Sequence, residues 1–451
     1  MTGSPLVGIA AVLAILAALF AGLRVWQVKR KPHPELPRKA LHLAMGVVTL
    51  SFPWVFHEPW PVALLGALAV AGLVATRRVA AVRDRVGDVV FGVARPSGGE
   101  LYFPVAVVLL FWLSGGDPIL YGIPILILTL ADATAALIGV RYGFRRFATA
   151  DGGAKSVEGS VAFFMVAFLA AHVPLLLFTE VGRAETLLIG LNLGFLTMLL
   201  EAVAWRGIDN LLLPLIAFFL LDAFIDARAA SLASSLAFIG GFAVVVAAWR
   251  RFTTLDLTGL IAAVLVGYVF WALGGWRWLA FPLIAFLTYV LLWRRAPREL
   301  EVYHNVFAIV ATNAAGVAWL AVASYARGAD LLYFNALAYA AQLAAVGHIQ
   351  IHLDYPRHAP QRAPLAIASL AWLVMFLPYV VIRQLALTEV VLALAALPVL
   401  VATVYLFRGA WRAVRHRSES AARWWVQGAV GGVASLLGLI PFGLVEALWP
   451  K

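Results

Sequence analysis

Apolar residues fall along this chain in long blocks separated by short polar punctuation. The blocks lack the one-in-two alternation of a membrane β-barrel strand. A helix that crosses the hydrocarbon core takes about 20 such residues, and a helix satisfies its own backbone in lipid. The pattern predicts sixteen spans, roughly 5–25, 40–56, 60–76, 101–115, 119–139, 160–178, 184–204, 211–225, 231–249, 257–273, 276–293, 302–325, 331–350, 364–382, 389–407 and 424–444. Two of them, 101–115 and 211–225, are short. Turn chemistry separates several: GGDP at 115–118, GG at 274–275 and ARGAD at 326–330. The expected fold is all-α, a polytopic transmembrane helical bundle. The first block, GIAAVLAILAALFAGLRVW, is not followed by a small-residue cleavage site and reads as a retained span.

Composition agrees with this reading. Of 451 residues, 63% are hydrophobic and 13% charged, and the mean hydropathy is +0.92. A soluble domain carries about 25% charged residues. With no cysteine, disulfides and zinc–thiolate sites are excluded. A net charge of +11 would suggest nucleic acid in a soluble protein, but its placement points elsewhere. With the N-terminus outside, the loops predicted inside carry 27 of the 34 Lys and Arg residues. That is a positive-inside distribution, so the partner is the bilayer and no nucleic acid is expected. The expected location is the cell membrane, with most polar clusters toward the cytoplasm.

Two halves are expected, 1–250 and 251–451, divided near WRRFTTLD (249–256). The first has long charged inner loops, the second shorter loops and fewer intramembrane polar groups.

Asp132, in LTLADATAALIGVRYG, is a carboxylate inside an apolar block. Such a residue faces a cavity or the bundle interior and marks function by default. Ala136, Gly139 and Gly143 follow at +4, +7 and +11, so the acid shares a lean face that another helix or a ligand can approach. Arg141, nine residues on, places Asp132 about 13 Å into the apolar layer. The alternative is a structural acid that pins two helices. The following loop, GGAKSVEGS, holds Lys155, Ser156, Glu158, Gly159 and Ser160. A lysine, two hydroxyls and glycine amides before a helix suit a phosphate. Glu158 would then hold magnesium or the lysine; a helix cap by Ser156 with Glu158 in the first turn is the other reading. In LPRKALHLAMG, Arg38 and His42 share a face, with Lys39 beside them. In EAVAWRGIDNLLLPL, Glu201 lies within the apolar boundary, as a partner of Lys155 or a magnesium ligand, and Asp209-Asn210 opens the next span, where it could cap the helix. Oxygen ligands suit magnesium, and Lys and Arg suit a polyphosphate. Together these clusters suggest phosphoryl or nucleotidyl transfer to an amphiphile at the cytoplasmic face.

The four segments LPRKALHLAMG, LADATAALIGVRYG, KSVEGSVAFF and GIDNLLLPL resemble the prenol kinases, the phytol and dolichol kinases, over about 35–225. The resemblance implies a multi-pass enzyme of lipid metabolism that phosphorylates an isoprenoid alcohol, with CTP as donor and magnesium as cofactor. It implies Asp132, His42 and Lys155 as catalytic residues. Arg38, Lys39, Lys155, Ser156, Gly159, Ser160 and Asn210 would hold the nucleotide, and Asp132, Glu158 and Asp209 the metal, with Glu201 added to the metal set by its place within the apolar boundary and not by the resemblance; Pro214 closes the last motif. Many members carry Gly-Asp at the acid with a second acid shortly after; here Ala131 precedes Asp132 and no second acid follows through Ala136. The more distantly related phosphatidate cytidylyltransferases offer a rival reaction, nucleotidyl transfer to a lipid phosphate. Readings of another class are a transporter and a non-catalytic membrane scaffold. In the second half, LDLTGLIAAVLVGYVFWALGGWRWLAFPLIAFLTYVL resembles the start of a membrane family that includes phytyl-phosphate kinase, but ADLLYFNALAYAAQLAAVGHIQ lacks that family's acid-rich motif. A scaffolding, lipid-binding or degenerate half is expected, with Asn305, Asn313, Asn335, Gln342 and His348 as polar groups in or near spans.

Overall fold

The structure is a computed structural model that describes residues 4–30, 32, 35–78, 98–293, 304–325, 330–354, 363–414 and 421–448. The chain divides into two compact units, 1–237 and 238–451. The division falls inside a helix, Ala229–Trp249, N-terminal to the WRRFTTLD stretch.

The first unit runs α1 (Pro5–Arg30), α2 (Glu35–Leu50), α3 (Phe52–Val55), α4 (Pro59–Arg78), α5 (Gly99–Leu113), α6 (Pro118–Leu126), a π-helical turn (Ile127–Ala131) and α7 (Asp132–Tyr142). A β-hairpin follows, β1 (Arg146–Ala148) with β2 (Ala154–Ser156), then α8 (Val157–Phe178), α9 (Arg183–Val203), α10 (Asp209–Ile225) and α11 (Ala229–Trp249). α6 starts where its sequence says it should: Pro118 sits at the first position, and the Asp117 carboxylate accepts from the amides of Ile119 and Leu120, both at 2.8 Å. Its core gathers Phe103, Leu110, Tyr121, Ile125, Phe163, Leu193 and Leu221 from five helices.

The second unit continues with α12 (Leu257–Trp293), α13 (Val306–Tyr325), α14 (Leu332–Asp354), α15 (Ala363–Ile382), α16 (Leu387–Val414), α17 (Ala421–Leu437) and α18 (Leu439–Leu448). α14 is buried on every face from Leu332 to Ala345 and packs on α12, α13, α15, α16 and α17. A helix buried all round is a bundle axis.

One expectation needs correction. Among the described residues, eleven helical stretches are long and apolar enough to cross a membrane, against the sixteen predicted. Blocks 257–273 and 276–293 fall within α12 and are separated by Gly275 (φ 66°, ψ −170°), where the glycine pair predicts a break. α2, α5 and α10 have 16, 15 and 17 residues. α14 is long but carries Asn335, Gln342, His348 and Gln350. The all-α class holds for the bundle; outside its spans the inner loop before α8 folds as a short antiparallel hairpin, with Phe147 opposite Lys155. Its turn accounts for this. Gly152 takes φ 80°, and the Asp151 carboxylate accepts from Thr149 Oγ1 and the Gly153 amide.

Candidate functional site

Three local structures converge in the first unit. α2 brings Lys39 and His42 on the face that also holds Gly46, at i, i+3 and i+7. That face lies against the π turn: a Cβ on Gly46 would fall 1.9 Å from Thr129 Cγ2. The π turn ends at Ala131, so Asp132 opens α7 one irregular turn after the contact. π turns inside helices are frequent at functional sites. Lys39 Nζ donates to Asp132 Oδ2 at 2.6 Å, and His42 Nε2 lies 3.7 Å from the same oxygen and 3.3 Å from the Leu128 carbonyl. The Lys39 and Asp132 side chains are 10% and 16% exposed, so each charge is matched by the other rather than by water.

The lean face of α7 receives the start of α8. Ser156 caps α8, its Oγ accepting from the Gly159 amide at 3.1 Å. A Cβ on Gly143 would sit 2.8 Å from Ser156 Cβ, and one on Gly159 would sit 2.8 Å from the Ala135 carbonyl. The glycines are the condition for this crossing. Glu158 turns the other way. Its carboxylate accepts from the amides of Phe144 and Arg145 at 3.1–3.3 Å, so it anchors the chain after α7 and does not line the cavity.

Lys155, delivered by β2, pairs with Glu201 near the end of α9, Nζ to Oε1 at 2.8 Å, and also donates to the Glu201 carbonyl. Of the two roles open for Glu201, the lysine pair is the one formed. Burial alone would lower the Lys155 pKa, but the Glu201 and Asp209 carboxylates outweigh it and raise it above the ordinary lysine value. Asp209 is the first residue of α10 and not its cap; Asn210 Nδ2 donates to the Gly99 carbonyl at 2.9 Å, tying α10 to α5. Pro214 is buried within α10.

These residues border one cavity of about 1150 Å³. Its polar wall holds Arg38, Lys39, His42, Asp132, Lys155, Ser156, Ser160, Glu201, Asp209 and Asn210. Ser160 Oγ is buried there without a hydrogen-bond partner. Much of the rest of its lining is apolar and comes from α1, α2, α4 and α5. All the sequence-predicted site residues except Glu158 are thus brought together. The cavity also takes residues the sequence reading missed: Glu100, Arg146, Asp151 and Arg206. Arg206 has φ 52°, its amide donates to Asp151 Oδ2 at 3.1 Å, and its carbonyl accepts from Gly98. An Arg-Gly pair between two spans was the available signal, but its partners lie 55 and more residues away.

Among the described residues no three His, Asp or Glu side chains form a group that could hold a metal. Glu158 is spent on backbone amides, and Asp132 and Glu201 each already hold a lysine. Magnesium takes one or two protein carboxylates together with substrate phosphates and water. The arrangement also offers two ammonium groups, each held by a carboxylate, beside an apolar chamber.

No family model matches the chain, and no solved structure matches it. A phytol kinase from Synechocystis sp. is 31% identical over 183 residues, which is 40% of this chain and 76% of that protein. The chain belongs to the prenol-kinase-like family. Membership is distant, and the shared stretch is under half of this prenol-kinase-like chain. It accords with a multi-pass membrane protein whose first unit has a cavity lined by polar residues from those motifs.

Proposed function

We propose that the first unit transfers the γ-phosphoryl group of a nucleoside triphosphate, CTP in the first instance, to the hydroxyl of a long-chain isoprenoid alcohol at the cytoplasmic face of the membrane. The observation that carries this reading is the mixed lining of one cavity: two lysine–carboxylate pairs together with apolar side chains from four helices. The name of the phytol kinase it resembles supports the same class of substrate, and the excess of basic residues in the loops predicted inside supports the orientation.

The prenol tail lies along the apolar lining, and its hydroxyl oxygen reaches the polar residues. Lys39 and Lys155 steady the phosphates, each leaving a carboxylate for a stronger anion. The hydroxyl oxygen bonds to the γ-phosphorus as the bond to the β–γ bridging oxygen breaks, and nucleoside diphosphate leaves. Asp132, relieved of Lys39, accepts the hydroxyl proton, with His42 beside it. Ser156 holds the start of α8 against α7, and Ser160 offers a free hydroxyl to a phosphate oxygen. No step is assigned to a protein-bound metal.

The test is incubation of purified protein with labelled CTP and a panel of prenols and lipid phosphates. Prenyl phosphate with CDP is the expected product pair. Pyrophosphate release with a lipid phosphate would replace this reading by nucleotidyl transfer, and solute flux without nucleotide turnover would replace it by transport.

A further inference from the structure

The apolar lining of the cavity is uneven. α1 and α2 present bulk there, as Phe20 and Met45, and α4 flanks its small residues Ala69, Gly72 and Thr76 with Leu68 and Leu73. The three small residues lie at i, i+3 and i+7, on one helix face. The Thr76 hydroxyl donates to the Gly72 carbonyl at 2.8 Å, so it is spent on its own helix. A Cβ built on Gly72 meets no heavy atom within 4 Å, and the residue lacks a positive φ. Neither close packing nor backbone conformation requires glycine at this position. In a helix interior glycine costs about 1 kcal/mol relative to alanine. The return for that cost is space in the cavity.

We propose that Gly72, with Ala69 a turn before it, sets the length of the apolar tail that the cavity accepts. The ligand class is a linear polyisoprenoid. This rests on the proposed reaction for its turnover readout but not for its binding readout. A side chain at position 72 projects into open volume, occupies space that a distal isoprene unit would fill, and leaves the Lys39–Asp132 and Lys155–Glu201 pairs untouched.

The experiment is Gly72→Phe assayed against geraniol, farnesol, geranylgeraniol and phytol. Gly22→Phe is the control, because Gly22 also has an open Cβ position but does not line the cavity. One methylene in an apolar pocket is worth about 10-fold or more in kcat/KM. Gly72→Phe is therefore expected to lower turnover of geranylgeraniol and phytol at least about 10-fold relative to geraniol, with Gly22→Phe unchanged. An unaltered ratio of long to short substrates, or an equal loss on all four, overturns the proposal. Native mass spectrometry of the same proteins with the same prenols reads the gauge without chemistry: the longest prenol retained must shorten in Gly72→Phe, and an unchanged ladder overturns it. If the unaltered chain binds the ladder but phosphorylates none of it, the kinase reading falls while the gauge stands. Ala69→Leu carries the same test should Gly72→Phe fail to fold.

Discussion

The two units differ in what their buried charges face. In the first, two ion pairs, Lys39 with Asp132 and Lys155 with Glu201, border open volume, while Asn192 fastens helices there by donating to the Leu232 carbonyl at 3.0 Å. In the second, amides and a hydroxyl tie neighbouring helices together. Asn335 Nδ2 donates to the Trp278 carbonyl at 3.2 Å, Gln342 Nε2 to the carbonyls of Gln427 and Gly428 at 3.2 Å, and the Tyr339 hydroxyl to Asn313 Oδ1 at 2.5 Å. The second unit has a buried carboxylate, Glu389, but it is closed in by Arg383 at 2.5 Å and by the Tyr379 hydroxyl, while Asp330 takes the other arm of Arg383. Similar apolar composition thus serves two ends. A polar group that faces space is available to a ligand; one that faces a backbone carbonyl is a fastener between helices.

The sharpest way to break this contrast is to remove one acid from each unit. Asp132→Asn should lower kcat by about 10³-fold or more, because it removes both the proton acceptor and the counter-ion of Lys39. Glu389→Gln should leave kcat within about twofold, since it borders no cavity of the first unit. If the two variants lose activity alike, the division of labour is wrong. Lys155→Met should come next, raising the KM for nucleotide and cutting kcat/KM by about 10²-fold in a nucleotide titration. On stability the order reverses. Arg383→Ala strands the buried Glu389 and should destabilise the chain by about 3–5 kcal/mol, read as a lower thermal midpoint with activity at low temperature retained. Gln342→Leu removes bonds worth about 0.6–2 kcal/mol and should give a correspondingly small shift in the same melt.

The smallest effect is a pH dependence in the hairpin. Burial would raise the Asp151 pKa, but bonds from Thr149 and from the amides of Arg206 and Gly153 outweigh it and hold it below the usual carboxylate value. A depressed folded pKa means that the anchoring is fully present above the unfolded value and is lost as pH falls through the folded one. Hydrogen exchange of the Arg206 and Gly153 amides should therefore lose protection only at acid pH, and Asp151→Asn should remove that dependence. Protection that is flat with pH in the unaltered protein would show that the carboxylate does not anchor the turn.

The sequence disclosed the helices and the polar wall to different depths. Asp132 was legible because a carboxylate in an apolar block has few places to go, and the small residues after it were legible because +4, +7 and +11 share a face. Lys155 with Glu201 was one of two open pairings, since 46 residues separate them and periodicity says nothing about contacts at that range. Glu158 was left open between a ligand and a first-turn acid behind a Ser156 cap; Ser156 is the cap, and the bonds of Glu158 to the amides of 144 and 145 depend on a hairpin that hydropathy does not reveal. The count of long spans differs because an apolar block shows where a helix forms, not how long it runs: α2, α5 and α10 stop at 16, 15 and 17 residues.

The irregular turn at Ile127–Ala131 carries a consequence for the lineage of such chains. A wider coil holds one more residue than a regular turn, and each residue advances a helix by about 100°. Deleting one of those five residues would close the wide turn to a regular one and leave Asp132 facing Lys39, whereas deleting a residue from the regular helix beside it would swing Asp132 about 100° away. Two relatives can then differ by one residue in this segment, share every apolar block, and both bring the acid to its lysine, so a one-residue gap at the wide turn is not a mark of a lost site.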